Sequence, residues 1–257
     1  INNTCNQCEI EQIPLSISLG AATKEDHKTD LNTIFDQAEE KMYQSKILQS
    51  KKRKNKILKN LLTILNQKSS ERKEHIKNIQ NFSLALGKEL ELTPFELHKL
   101  SLLAVVHDIG KVAIPDEILT KSTNLTTEER KTVNKHSKKG YQIISSIKDL
   151  APIADEVLYH HENWDGSGYP MGLQKEEIPL LARIINIAIS YDAMINGRNY
   201  KEDMTQEEII AELKEDSGRQ FDPQLVDLLI KLIKNDNLKS PEHKFLKKNS
   251  IITEFLS

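Results

Sequence analysis

From about residue 68 onward, apolar residues recur every three or four positions, the spacing of one face of a helix. Ile76, Ile79, Phe82 and Leu86 form one such face. Leu180 to Met194 is strongly apolar and predicts a central helix. Leu225, Leu228, Leu229 and Leu232 form a face after Asp222-Pro223, a pair suited to starting a helix. Thr93-Pro94 with Glu96, and Thr126 with Glu129, read as two further helix starts, the second as a capping box. Strand-type alternation is lacking, so residues 68–257 are expected to form an all-α domain.

The first 67 residues read differently. Ile13 to Leu19 alternates as a strand does, and Gly20 ends it. Leu31, Ile34, Phe35, Ala38, Met42 and Tyr43 recur at helical period up to Lys46. Residues 1–46 thus predict strand, turn and helix, a short α/β segment. Residues 47–67 are rich in Lys and Leu, contain no Pro or Gly, and predict a helical linker. Its basic run Lys51-Lys52-Arg53-Lys54 reads as the solvated side of that helix. Such a helix suits signal relay, pairing of two copies into a homodimer, or simple spacing.

Composition narrows the function classes. The chain has 257 residues, 38% hydrophobic and 29% charged, with a formal net charge of −2. That balance argues against bulk DNA binding. Cys5 and Cys8 stand alone as a CxxC pair and read as free thiols in a reducing cytoplasm. No apolar run approaches the ~18–20 residues needed to span a bilayer, since Arg183 and Asn186 interrupt the stretch from Leu180 to Ile189. No membrane segment and no signal peptide are therefore expected in this stretch of chain. The start at Ile1 reads as that of a fragment, so a membrane anchor or sensor upstream stays open.

The chemistry lies in the histidines. Five of eight, His75, His107, His136, His160 and His161, stand near other ligand-type residues, and Asp108 directly follows His107. Imidazole and carboxylate are usual ligands for Zn, Fe and Mn. Two such metals suit phosphoester cleavage. Glu71 lies one helical turn before His75, hence on the same face. Any one of these histidines, met alone, reads as a buried or surface residue. Gly110 and Gly172 read as turn residues, Tyr191 as core, and His27, His98 and His243 as surface.

Taken together, several runs resemble the HD superfamily of metal-dependent phosphohydrolases, and within it the HD-GYP family. They are His107-Asp108-Ile109-Gly110-Lys111, Ile114-Pro115-Asp116-Glu117-Ile118-Leu119, Lys135-His136, and His160-His161-Glu162 with Asp165-Gly166-Ser167-Gly168-Tyr169-Pro170. Glu177-Ile178-Pro179, Ala182-Arg183-Ile184, Tyr191-Asp192-Ala193 and Phe221-Asp222-Pro223 follow in family order. The resemblance covers roughly residues 68–235. It implies an HD-type helical bundle that hydrolyses cyclic di-GMP to pGpG or GMP, using two or three divalent metals, usually iron or manganese. It also implies roles. Asp108 would bridge two metals, with His75 and His107 on the first and His136, His160 and His161 on the second. Glu71 would serve a third metal. Lys111 would contact a phosphate. Arg198 and Lys201 would hold the nucleotide phosphates, and Gly168, Tyr169 and Pro170 would form a rigid ligand-facing turn. The runs IPLSISLGAA and FDQAEEKMYQSK resemble the C-terminal tail of GGDEF domains, without the GG[DE]EF active-site run. A GGDEF-domain protein is accordingly a possible partner.

Two positions depart from the family pattern. Where the family reads A-D-x-Y-D-A, with the first Asp a metal ligand, this chain reads Ala188-Ile189-Ser190-Tyr191-Asp192-Ala193. Ile189 cannot bind metal. Asn78 stands where the family commonly has Arg. Three readings follow: a phosphodiesterase with a weakened first metal site, a degenerate module that binds cyclic di-GMP or a protein without hydrolysis, or, against the GYP loop, an HD phosphohydrolase acting on a different nucleotide. In the first reading Asp192, one turn further on, compensates only if its helix shifts.

Overall fold

The computed structural model describes residues 72–121, 123–196, 204–235 and 238, with positions 9–10, 13–14, 19–24, 30–31, 33–35, 37–39, 41–42, 45, 60 and 63 before them. The chain divides into two compact units, residues 1–58 and 59–257.

In the first unit, β1 (Glu9–Ile10) pairs antiparallel with β2 (Ile13–Pro14), Ile10 facing Ile13. The strand expected to run to Leu19 has left the sheet by that residue, which is irregular and exposed. The following residue shows why. A Cβ on Gly20 would stand 1.8 Å from the carbonyl of Ala38, so the chain here lies against helix backbone instead of a strand. Every described position from 31 to 45 is helical, as the periodicity predicts. Of the expected linker helix only residues 60 and 63 are described, and both are helical.

Among its described residues the second unit is helical. Its helices are α1 (Arg72–Glu89), α2 (Pro94–Val106), α3 (Asp116–Leu119), α4 (Thr127–Asn134), α5 (His136–Ser145), α6 (Ala154–Tyr159), α7 (Leu180–Asn196), α8 (Gln206–Glu215) and α9 (Pro223–Lys234). A 3-10 turn, Ile109–Ala113, follows α2. The starts are chemically specified. Thr93 and Glu96 cap α2 reciprocally, as Thr126 and Glu129 cap α4, and Thr205 and Glu208 cap α8. Asp222 accepts from the Gln224 N–H at 2.9 Å, with Pro223 opening α9. Each such cap contributes about 1 kcal/mol by satisfying N–H groups that have no partner within the helix.

α1 packs along α2 and α7. Ile76, Ile79, Leu86, Leu100, Leu103, Ile184 and Ile187 are wholly or almost wholly shielded from solvent at this junction. Burying each contributes about 1.5–3 kcal/mol. Tyr191 is core, as expected, with its ring edge-on to Phe82 at 4.8 Å. Among the described residues no helix is long and apolar enough to cross a membrane.

One glycine has a role that its motif does not suggest. Gly110, read from the sequence as a turn residue, lies in the 3-10 turn that packs on α5. A Cβ there would stand 1.9 Å from the His136 carbonyl oxygen and 2.5 Å from the Gly140 nitrogen. Glycine is needed for close approach of two backbones. Gly172, by contrast, is a turn glycine as expected, at φ 71°. Gly110→Ala is therefore expected to cost about 1–3 kcal/mol or more through overpacking. Urea unfolding of the two proteins checks this, and equal midpoints would contradict the close approach.

Candidate metal centre

Helix ends build the site. His107 ends α2, its N–H bonded to the Leu103 carbonyl at 2.8 Å, and Asp108 leads into the 3-10 turn. His136 opens α5. His160 ends α6, and His161 follows it. The C-terminal ends of α2 and α6 carry partial negative charge, which favours a cation.

Asp108, His136, His160 and His161 each offer a ligand atom, and these atoms all lie within 4.8 Å of one another. The imidazoles are pre-aimed. His107 Nδ1 donates to the Ala104 carbonyl at 2.9 Å, His136 Nδ1 to that of Val133 at 2.8 Å, and His160 Nδ1 to that of Val157 at 2.7 Å. A carbonyl only accepts, so each Nδ1 carries the proton and each Nε2 presents a lone pair. His136 Nε2 and His160 Nε2 then face each other at 3.3 Å with no proton between them. His136 Nε2 also stands 3.4 Å from Asp108 Oδ1. Two lone pairs beside a carboxylate repel one another unless a cation lies among them. The donor set therefore fits a divalent metal.

Electrostatics reinforce this. Burial, with neighbouring His161 and His107, holds His160 well below the ordinary histidine value. Burial, with His136 next in weight, pushes His161 down to about 3. Burial lowers His136, against the opposing pull of Asp108. All three imidazoles are thus neutral near pH 7, as metal ligands must be. Burial works against the charged carboxyl of Asp108, yet Lys111, His107 and His136 hold it well below the usual carboxylate range.

His107 Nε2 is 3.5 Å from Asp108 Oδ2, beside the cluster but outside the four-atom group. His75 is also outside that group: its Nδ1 is hydrogen-bonded to Asp192 Oδ2 across 117 residues. The separate first metal set of His75, His107 and Asp108 is thus not drawn together as tightly as the second. Lys111, expected on a phosphate, has its Nζ on Asp108 Oδ2 at 2.7 Å. Glu71, Arg198 and Lys201 lie outside the described residues.

The loop from Glu162 to Leu173 forms the wall. Tyr169, expected to face ligand, stacks on His161 with ring centroids 4.8 Å apart, and its N–H donates to the His161 carbonyl. A Cβ on Gly168 would stand 2.3 Å from the Asn163 nitrogen, so that turn closes only with glycine. Pro170 follows in the same half-buried stretch. Two contributors escaped the sequence reading of roles. Buried Glu162 accepts from the N–H groups of Met171, Gly172 and Leu173 at 2.6 to 3.2 Å, clamping the loop. Asn186 donates from α7 to the Glu162 carbonyl at 2.7 Å, tying that clamp to the core. No spacing rule marks either, because both act on backbone that is distant in sequence.

The family model described as "HD domain" matches residues 56–225. The chain belongs to the HD domain family. Its GYP loop and histidine pair place it with the HD-GYP proteins. It is 37% identical over 182 residues to a cyclic di-GMP phosphodiesterase of Thermotoga maritima, covering 68% of this chain and 49% of that one. It is 39% identical to the cyclic di-GMP phosphodiesterase response regulator RpfG of Xanthomonas campestris, covering 63% and 42%. It is 38% identical to a 3'3'-cGAMP-specific phosphodiesterase of Vibrio cholerae, covering 66% and 33%. The chain spans half or less of the length of these relatives. An HDG"Y"P protein of Bdellovibrio bacteriovorus shares the fold, with TM-score 0.53 and 18% identity, covering 82% of this chain and 75% of that one.

Glu162→Ala removes the acceptor of three loop N–H groups, each bond to a charged group being worth about 1.5–3 kcal/mol. Hydrogen exchange at Met171, Gly172 and Leu173 is expected to accelerate by at least tenfold, while α1 and α2 keep their protection. Unchanged exchange in the loop would show that Glu162 does not hold it.

Proposed function

We propose that this chain hydrolyses cyclic di-GMP, to pGpG or GMP, at the centre built by Asp108, His136, His160 and His161. The convergence of the oriented His136 and His160 Nε2 atoms with His161 and one buried carboxylate carries this reading. The named activities of the relatives supply the substrate class, a cyclic dinucleotide. Iron or manganese is the metal that the family resemblance implies, and imidazole with carboxylate suits both as it suits zinc. When bound, a divalent metal neutralises the phosphodiester and activates water for attack on it. The chain's own residues do the rest. Nδ1 anchoring keeps the imidazoles in place. Lys111, held at Asp108, provides a point charge for a phosphate oxygen. The stacked Tyr169, between Gly168 and Pro170, offers a flat wall for a base, and Arg198 and Lys201 take the outer phosphates. His75 and His107, with Asp108, would hold the first metal less tightly than His136, His160 and His161 would hold the second, and Glu71 would serve a third.

A second reading keeps binding without turnover, and Ile189 favours it, since it offers no ligand atom at the family's carboxylate position. Within the same proposal, residues 1–46 are the end of a GGDEF-like domain and 68–257 the catalytic domain. The linker 47–67 pairs two copies, a GGDEF-domain protein is a candidate partner, and the protein works in the cytoplasm.

The test is anaerobic incubation of the manganese- or iron-loaded chain with cyclic di-GMP and, separately, 3'3'-cGAMP, with products identified by mass spectrometry. Formation of pGpG or GMP is expected. Uptake of ligand without product would favour the binding-only reading. His160→Ala should lower metal affinity and turnover by at least the roughly 10–100-fold that even an outer hydrogen-bond partner is worth. Ile189→Asp should raise metal content at the weaker site and turnover with it. If the variant gains metal and no turnover, Ile189 is not what limits the reaction.

A further inference from the structure

His75 is oriented by the same device as the other histidines, but with a different partner. His107, His136 and His160 each give their Nδ1 proton to a carbonyl three residues back. His75 gives its own to Asp192, on α7. Asp192 is 3% exposed and His75 35%. The second oxygen of Asp192 accepts from Asn196 at 2.8 Å, so the buried carboxylate has a donor on each oxygen. A buried charge persists only when paired in this way. A carboxylate only accepts, which puts a proton on His75 Nδ1 and leaves Nε2 as the position open to a metal.

We infer that Asp192 is a positioning residue for His75, so that α7 serves the weaker metal site through an imidazole, with Ile189 standing where a direct carboxylate ligand would be. A carboxylate behind a histidine fixes its tautomer and orientation and makes Nε2 a stronger donor to metal. The packing of α1 along α7 delivers this contact without any shift of α7. The inference rests on the metal-dependent reading of the site, and it concerns a divalent transition metal such as Mn²⁺.

Two measurements on the 257-residue chain test it. In the metal-free protein, long-range ¹H–¹⁵N spectra should show His75 as the Nδ1–H tautomer. An Nε2–H tautomer would overturn the inference with no variant needed. Mn²⁺ titration, followed by calorimetry and by counting bound metal, then compares wild type with Asp192→Asn, His75→Ala, the double variant and His160→Ala. Asp192→Asn should weaken one class of Mn²⁺ site by about 10–100-fold, with the saturated stoichiometry unchanged. The double variant should bind no more weakly than His75→Ala alone. Loss of a whole equivalent in Asp192→Asn that His75→Ala retains would make Asp192 a ligand itself and sink the positioning role. So would an unchanged affinity. If His160→Ala abolishes binding while Asp192→Asn does nothing, the inference fails and the hydrolase reading stands. If wild type takes up no Mn²⁺, the hydrolase reading fails first and the inference falls with it.

Discussion

Everything at the centre depends on a backbone contact between two segments that no side chain separates. Gly110 lies so close to the first turn of α5 that a methyl group would enter the His136 carbonyl oxygen. Asp108 stands two residues before that contact and His136 belongs to it. The carboxylate and the imidazole therefore meet because two backbones do. A bulkier residue would push the 3-10 turn outward, and the 3.4 Å approach of Asp108 to His136 would go with it. Gly140 extends the arrangement, its own side-chain space being filled by Val157 of α6. That second contact draws α6 in, and the end of α6 carries His160 and His161. Close helix approach is thus the means by which three separate chain segments deliver their ligands to one point.

The GYP loop is held by a different principle. It has little regular structure of its own, so its backbone N–H groups need acceptors from elsewhere. Glu162 supplies one carboxylate to three of them. The segment before α9 supplies carbonyls to two more, Gln220 to Trp164 and Arg219 to Asp165. Arg183 lies over the Trp164 ring and is ion-paired with Asp222, the cap of α9. One buried carboxylate, one stacked arginine and a short stretch of backbone thus make a rigid wall from a loop. Tyr169 lies against His161 because both ends of its loop are tied.

The helices were legible because their signals are local. Thr93 with Glu96 and Thr126 with Glu129 are reciprocal caps within one turn, and Asp222-Pro223 is a start signal in two residues. The cap at Thr205 and Glu208 has the same spacing and was available to the same rule. Most of the metal cluster was legible too, because its residues fall in short runs whose order is characteristic. What was not legible joins residues remote in sequence. The spacing at Gly110 suggests a turn, and only the packed neighbour shows the close approach. Asp192 looks like a ligand one turn out of place until His75 is seen bonded to it, 117 residues away. Glu162 sits beside two histidines and could pass for a third ligand, yet its oxygens are taken up by loop N–H groups.

The pairing of Asp192 with His75 also bears on why the two halves of the site differ. Around His136 and His160 the protein removes water, so the imidazoles stay neutral and their lone pairs converge on one point. Such a cluster is unfavourable by itself, and a cation relieves it. His75 is 35% exposed, and the neighbouring Asp192 carboxylate is already shared between two donors. Burial thus distinguishes the close-packed cluster of Asp108, His136, His160 and His161 from the more open His75.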